Sequence, residues 1–151
     1  MLEPQPSSNS IATRVAELLE PILTVRDPQQ RLARLVELAK ARPLLADALK
    51  LDVHRVEGCQ VRIWFVPEFR EGRCWFQSDS DAITLKALVG LLCEVYSGRT
   101  PQEIAAHEPK FLDDLGVLKQ LAESRRATVL RVVGKIRDFA ATTSVKIMDL
   151  R

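Results

Sequence analysis

No cluster of basic residues, no apolar run of membrane length and no closely spaced cysteine pair occurs in this sequence, and each absence removes a class of protein. The 22 basic side chains are offset by 20 acidic ones in 151 residues, leaving a net charge of +2 with the signs interspersed. A protein that grips a phosphate backbone gathers Lys and Arg on one face. The longest basic pair, Arg125-Arg126, is too small to do so, and no nucleic-acid partner is expected. The longest apolar stretch, residues 82–96, is interrupted by Lys86 and Glu94. It falls short of the ~20 residues that span a bilayer, so no membrane partner is expected and the stretch reads as a buried helix. The start has no basic run leading into an apolar one, so no secretory signal is expected and the expected location is cytoplasmic. Six glycines, none at the spacing of a phosphate loop or a dinucleotide fold, give no support to an ATP- or NAD-dependent role.

Three cysteines, an odd number without regular spacing, do not make a disulfide framework. There is no Cys-x-x-Cys, and His54, Cys59, Cys74, Cys93 and His107 match no zinc pattern, so no metal site is expected. With only two histidines, a Cys-His hydrolase would need one of them brought to a cysteine together with an orienting Asn or Asp and an oxyanion hole.

What is present is a globular composition, with 46% hydrophobic and 28% charged residues. That excludes wholesale disorder, and the length fits one core. Residues 1–9, with two prolines and two serines, read as a flexible lead-in. Residues 10–141 read as a single domain, and residues 142–151 as a loose tail. Ile11, Val15, Leu18, Leu19 and Ile22 recur at helical spacing up to an expected break at Pro21. Asp27 reads as the N-cap of a second helix with Pro28 at its first position, burying Leu32, Leu35, Val36 and Leu38. A short helical run toward Leu49 follows, then an extended segment at residues 53–56. Strands are expected at residues 60–66 and 73–78, joined by a loop at residues 67–72. Asp79-Ser80-Asp81 offers cap residues for an apolar, central helix from about Ala82 to Ser97. Thr100-Pro101-Gln102-Glu103 has capping-box spacing, and Ser124 reads as the cap of a final helix burying Val129, Val132, Val133, Ile136 and Phe139. The pattern is α+β, with a small three-stranded antiparallel sheet packed against helices.

The cysteines sit in different company. Cys93 lies inside the apolar helix and Cys74 beside Trp75 in a strand, where a thiol behaves as a small hydrophobe. Cys59 follows Gly58 in a turn between two extended runs, where functional residues concentrate. By chemistry alone it is equally a reactive thiol or an incidental one. Arg55, Arg62, Lys86 and Arg125 are cations able to favour a nearby thiolate, or ordinary solvated charges.

The segment His54-Arg55-Val56-Glu57-Gly58-Cys59-Gln60 with Ile63-Trp64 resembles the signature of the SufE family of sulfur acceptors. Asp79-Ser80-Asp81-Ala82 with Lys86 and Leu88 resembles that family's helix start. Thr100-Pro101, Ile104, Leu115-Gly116, Leu121 and Ser124-Arg125 continue it in order, over residues 18–139. The chain departs from the pattern at Val61, Ala87, Glu123 and Thr128, where Ser, Gly, Pro and Gly are common, and these positions bear on which partner docks.

The resemblance implies the fold of the iron-sulfur scaffold proteins, an acceptor Cys59 at a loop tip, and no cofactor of its own. It implies that Cys59 takes persulfide sulfur from a pyridoxal-phosphate-dependent cysteine desulfurase (SufS-like), stimulates it without independent turnover, and delivers sulfur to a downstream iron-sulfur scaffold (SufBCD-like). Gly58, Gln60, Asp79, Asp81, Lys86 and Arg125 are the residues expected to support docking or the thiolate, Arg125 first. For Asp79 and Asp81, helix capping is an equal alternative. The rival functions are a non-catalytic regulator that docks without carrying sulfur and an iron-sulfur scaffold. A scaffold needs converging thiolates, which the setting of Cys74 and Cys93 disfavours.

Overall fold

A computed structural model describes residues 10–149. The lead-in at residues 1–9 and the last two positions lie outside the described residues. The order is α1 (Ile11–Leu23), α2 (Pro28–Ala39), two single 3₁₀ turns (Asp47–Leu49, Asp52–His54), β1 (Ile63–Arg70), β2 (Arg73–Ser80), α3 (Ile83–Tyr96), α4 (Pro101–Ala106), α5 (Phe111–Leu115), a third 3₁₀ turn (Leu118–Gln120) and α6 (Glu123–Asp149).

Side-chain caps set three of the helix starts. The Ser10 hydroxyl accepts from the Thr13 N–H, the Asp27 carboxylate from the Gln29 N–H, and Thr100 with Glu103 closes a full capping box. Three expected helix boundaries move. Helix α1 runs through Pro21 to Leu23, because burying Ile22, 1% exposed, outweighs the one backbone bond that a proline removes. Helix α6 begins at Glu123, with the Ala122 carbonyl accepting from Arg125 and Arg126, so Ser124 lies inside it rather than capping it. It also continues through residues 142–149, where a loose tail is expected, and it buries Thr143 there.

β1 and β2 pair antiparallel, from Ile63 opposite Ser80 to Arg70 opposite Arg73. The expected loop at residues 67–72 shrinks to Glu71-Gly72. Both have positive φ, 53° and 76°, as the tight turns matched to strand twist require. Pro67 stays in β1 because that strand is at an edge, where a missing N–H is tolerated. The sheet has two strands, not the expected three, among the described residues. The segment at 53–56 supplies only a bridge between Arg55 and Trp64, with the Val56 N–H on the Ile63 carbonyl at 2.9 Å. At the other edge Cys74 makes a similar bridge to Arg99.

Helix α3 is the centre, as its apolar sequence implies: Leu85, Leu88, Leu92 and Val95 are each fully buried. One sheet face lies on the core, with Phe65 stacked on Phe76 and Phe76 edge-on to Phe139 of α6 at 5.8 Å. Helices therefore cover one face of an antiparallel hairpin, the α+β arrangement. No helix among the described residues is long and apolar enough to cross a membrane.

Candidate functional site

The turn carrying Cys59 is held at its base by the Arg55–Trp64 bridge and the Val56 to Ile63 hydrogen bond, so residues 57–62 form a loop whose ends are tied to β1. Gly58 has φ of 79°, a conformation that any side chain would strain. Cys59 follows, half-buried against the core, with Gln60 exposed beside it.

Three polar atoms surround the Cys59 Sγ. The carbonyl oxygen of Glu57 is at 3.8 Å, Thr128 Oγ1 at 3.3 Å and Arg131 Nη1 at 3.4 Å. The last two come from α6. The same Arg131 nitrogen donates to the Glu57 carbonyl at 2.9 Å, and the Thr128 hydroxyl donates to the Ser124 carbonyl at 3.0 Å.

The other two thiols are closed off. Cys74 is fully buried, and burial pushes its thiol up to about 11. Burial likewise pushes Cys93 up to about 12, only partly offset by Ser78 and Arg42. Both are held protonated, the poorly nucleophilic form. Among the described residues no group of His, Cys, Asp and Glu is arranged to hold a metal ion.

The remaining expected site residues gather elsewhere, around the start of α3. Asp79 belongs to β2, not to a helix cap; it is 5% exposed and lies 3.4 Å from both Lys50 and Lys86. Burial acts to raise its carboxyl, but the Ser80 N–H and the two ammonium groups outweigh that and hold it below the ordinary carboxylate value. Asp81 pairs with Arg62 at 2.7 Å. Helix α3 has Ala82 at its N-cap and no side-chain capping bond there; the Ser80 hydroxyl accepts from the Ala82 N–H at 3.1 Å, just ahead of the helix. Arg125 donates to the Thr84 hydroxyl at 3.1 Å, so its guanidinium ties α6 to α3 rather than standing at the thiol.

Sequence reasoning thus misplaces the cation. Arg131 is not among its candidates, and Thr128 enters it only as a departure from a family pattern. Helical spacing does put Ser124, Thr128 and Arg131 on one face of α6. It does not say that this face meets a loop about seventy positions earlier.

The chain matches the SufE family model, described as an Fe-S metabolism associated domain, over residues 16–140. It is 28% identical over 116 residues to an uncharacterized SufE-like protein of Synechocystis sp., covering 77% of this chain and 73% of that one. It is 32% identical over 99 residues to the sulfur acceptor protein CsdE of Escherichia coli, covering 64% of this chain and 67% of that protein. In fold it is similar to the solution structure of a hypothetical protein from Thermus thermophilus, with a TM-score of 0.62 at 24% identity, over 85% of this chain and 96% of that one. A family match across most of the chain and a shared α+β architecture agree, and this protein belongs to the SufE family.

Proposed function

We propose that this chain is a sulfur acceptor that takes persulfide sulfur from a pyridoxal-phosphate-dependent cysteine desulfurase onto Cys59. It then passes the sulfur toward iron-sulfur cluster assembly. The observation that carries this reading is the contrast among the thiols: Cys59 alone lies in a surface turn, while Cys74 and Cys93 are buried and held protonated. The likeness to a protein named for sulfur acceptance supports the same reading.

The step is a thiol exchange. The Cys59 thiol gives up its proton, and its thiolate attacks the terminal sulfur of the donor's persulfide. A new S–S bond forms at Cys59 while the donor's S–S bond breaks, and the donor cysteine leaves as a thiolate. Electrons and atoms balance without an outside oxidant. Such chemistry needs a compartment that keeps thiols reduced, and the cytoplasm is the natural setting. The exposed Gln60 and the charged groups at the start of α3 (Asp81, Lys86 and Arg125) are the proposed docking face.

The test mixes the protein with a cysteine desulfurase of the SufS type and free cysteine and locates added sulfur by peptide mass spectrometry. One extra sulfur on the Cys59 peptide is expected, and Cys59→Ser should lose both that adduct and the stimulation of the desulfurase. Full stimulation by Cys59→Ser would replace the acceptor with a docking regulator. Delivery is read by supplying a cluster scaffold of the SufBCD type and following transfer of the labelled sulfur to it.

A further inference from the structure

The Cys59 turn stands between two surfaces of different charge character. At its far end Arg62 pairs with Asp81 at 2.7 Å, and Asp79, two positions earlier, lies 3.4 Å from both Lys50 and Lys86. The charges at the start of α3 are thus matched among themselves. At its near end Arg55 and Val56, which tie the turn to β1, also line a groove of about 490 Å³. The second half of α6, from Lys135 to Lys146, lines the same groove.

Here the charges are unmatched. Arg55, Lys135 and Lys146 are exposed, and none pairs with a carboxylate among the described residues, while Asp138 is the one acid in the lining. Each cation alone is ordinary solvated charge, but like charges gathered along one groove raise the potential there and draw a negative partner. Apolar surface lies among them: Val53 is 80% exposed, and Pro67 and Phe139 are half-buried. A small anion would use the cations and leave this apolar surface uncovered, whereas a peptide segment with acidic and apolar side chains uses both. Lys135 and Lys146 stand about 16 Å apart along the helix axis. An extended segment of about five residues spans that distance.

We propose that this groove docks an acidic, partly apolar segment of the protein that receives sulfur from Cys59, so that donor and receiver meet the turn from different sides. The inference rests on the sulfur-acceptor reading. The groove shares no residue with the donor face proposed at Gln60, Asp81, Lys86 and Arg125. In delivery a thiolate of the receiver attacks the outer sulfur of the Cys59 persulfide. An S–S bond forms on the receiver as the one at Cys59 breaks, and Cys59 leaves as a thiolate, so no outside oxidant is needed.

The test compares the full-length parent with Lys135→Glu/Lys146→Glu, with Arg55→Glu, and with the charge-keeping Lys135→Arg/Lys146→Arg. The first readout needs no sulfur. A ten-residue glutamate-rich peptide with one central leucine is titrated in, and amide chemical shifts are followed. Shifts should gather at residues 53–56 and 135–146 and fade as salt is raised. Affinity should fall about tenfold or more in the Glu variants and stay near the parent's in the Arg variant. Absence of binding, or binding elsewhere, overturns the proposal; so does tighter binding of single-stranded DNA of equal charge, which would make the groove a nucleic-acid site. The second readout follows labelled sulfur, first onto Cys59 from the desulfurase and then to a scaffold of the SufBCD type. The Glu variants should load at the parent rate and deliver about tenfold more slowly. Delivery at the parent rate overturns the proposal, and loading reduced as much as delivery overturns it too, because the groove then serves the donor. Failure of the acceptor reading shows separately, as a parent protein that gains no sulfur on Cys59, and the peptide titration then still decides whether the groove takes an acidic segment.

Discussion

A thiol's reactivity is set by what surrounds it, and the three cysteines cover the range. Cys74 and Cys93 sit in apolar surroundings, where desolvation penalises the thiolate; Cys59 lies in a turn with a guanidinium and a hydroxyl at its sulfur. Iodoacetamide added to the folded protein near neutral pH should therefore label Cys59 first. Cys74 and Cys93 should be labelled only when denaturant opens the core. Peptide mass spectrometry reads this directly, and early labelling of Cys93 would show that the core does not exclude solvent at that position. Arg125 acts by joining two helices. Its hydrogen bond to Thr84 makes Arg125→Ala a loss of about 0.5–1.5 kcal/mol in stability, measured by urea denaturation. An unchanged midpoint would mean that this tie between α6 and α3 contributes nothing.

At the scale of elements, α3 carries the fold because it is buried nearly all round. Leu88 is fully buried within it, and Leu88→Ala should cost about 2–5 kcal/mol by calorimetry or urea denaturation. The β2 strand ends in a buried carboxylate, which gives a pH dependence. Burial acts to raise the pKa of Asp79, but the Ser80 N–H, Lys86 and Lys50 together lower it, so Asp79 binds a proton less readily in the fold than in the unfolded chain. Its contribution is thus present above the ordinary carboxyl value near 4 and is lost as pH falls through the depressed one. Stability measured from pH 6 downward should fall, and Asp79→Asn should flatten the fall below about pH 4. Where reading the elements from sequence goes astray, the cause is tertiary. Pro21 and Pro67 read as breaks in the sequence, yet one sits in a helix pinned by buried Ile22 and the other in an edge strand. Asp79 and Asp81 read equally well as helix-cap residues. The strand register instead buries the first between two lysines and leaves the second paired with Arg62.

For the whole molecule, burial of two thiols predicts weakness in alkali. Their folded values, about 11 and about 12, lie above the ordinary thiol value of about 8.5. The unfolded chain thus ionises first as pH rises. Stability is full below about pH 8.5 and falls above it, by up to about 1.4 kcal/mol per pH unit for each thiol. Urea midpoints between pH 7 and 10.5 check this, and a flat profile would mean that neither thiol is shielded. The amino-acid sequence alone determined the α+β class, the helix caps at Asp27 and Thr100, the apolar central helix and the glycine-cysteine turn. Each of these depends on neighbours within a few residues, through side-chain spacing or backbone conformation. The tertiary structure alone decided that Arg131 and not Arg125 stands at the sulfur, that Thr128 lies beside it, and that Asp79 is buried. Those outcomes depend on which face of α6 meets a turn about seventy residues away and on the register of one hairpin, and helical periodicity fixes a face without naming what lies opposite it.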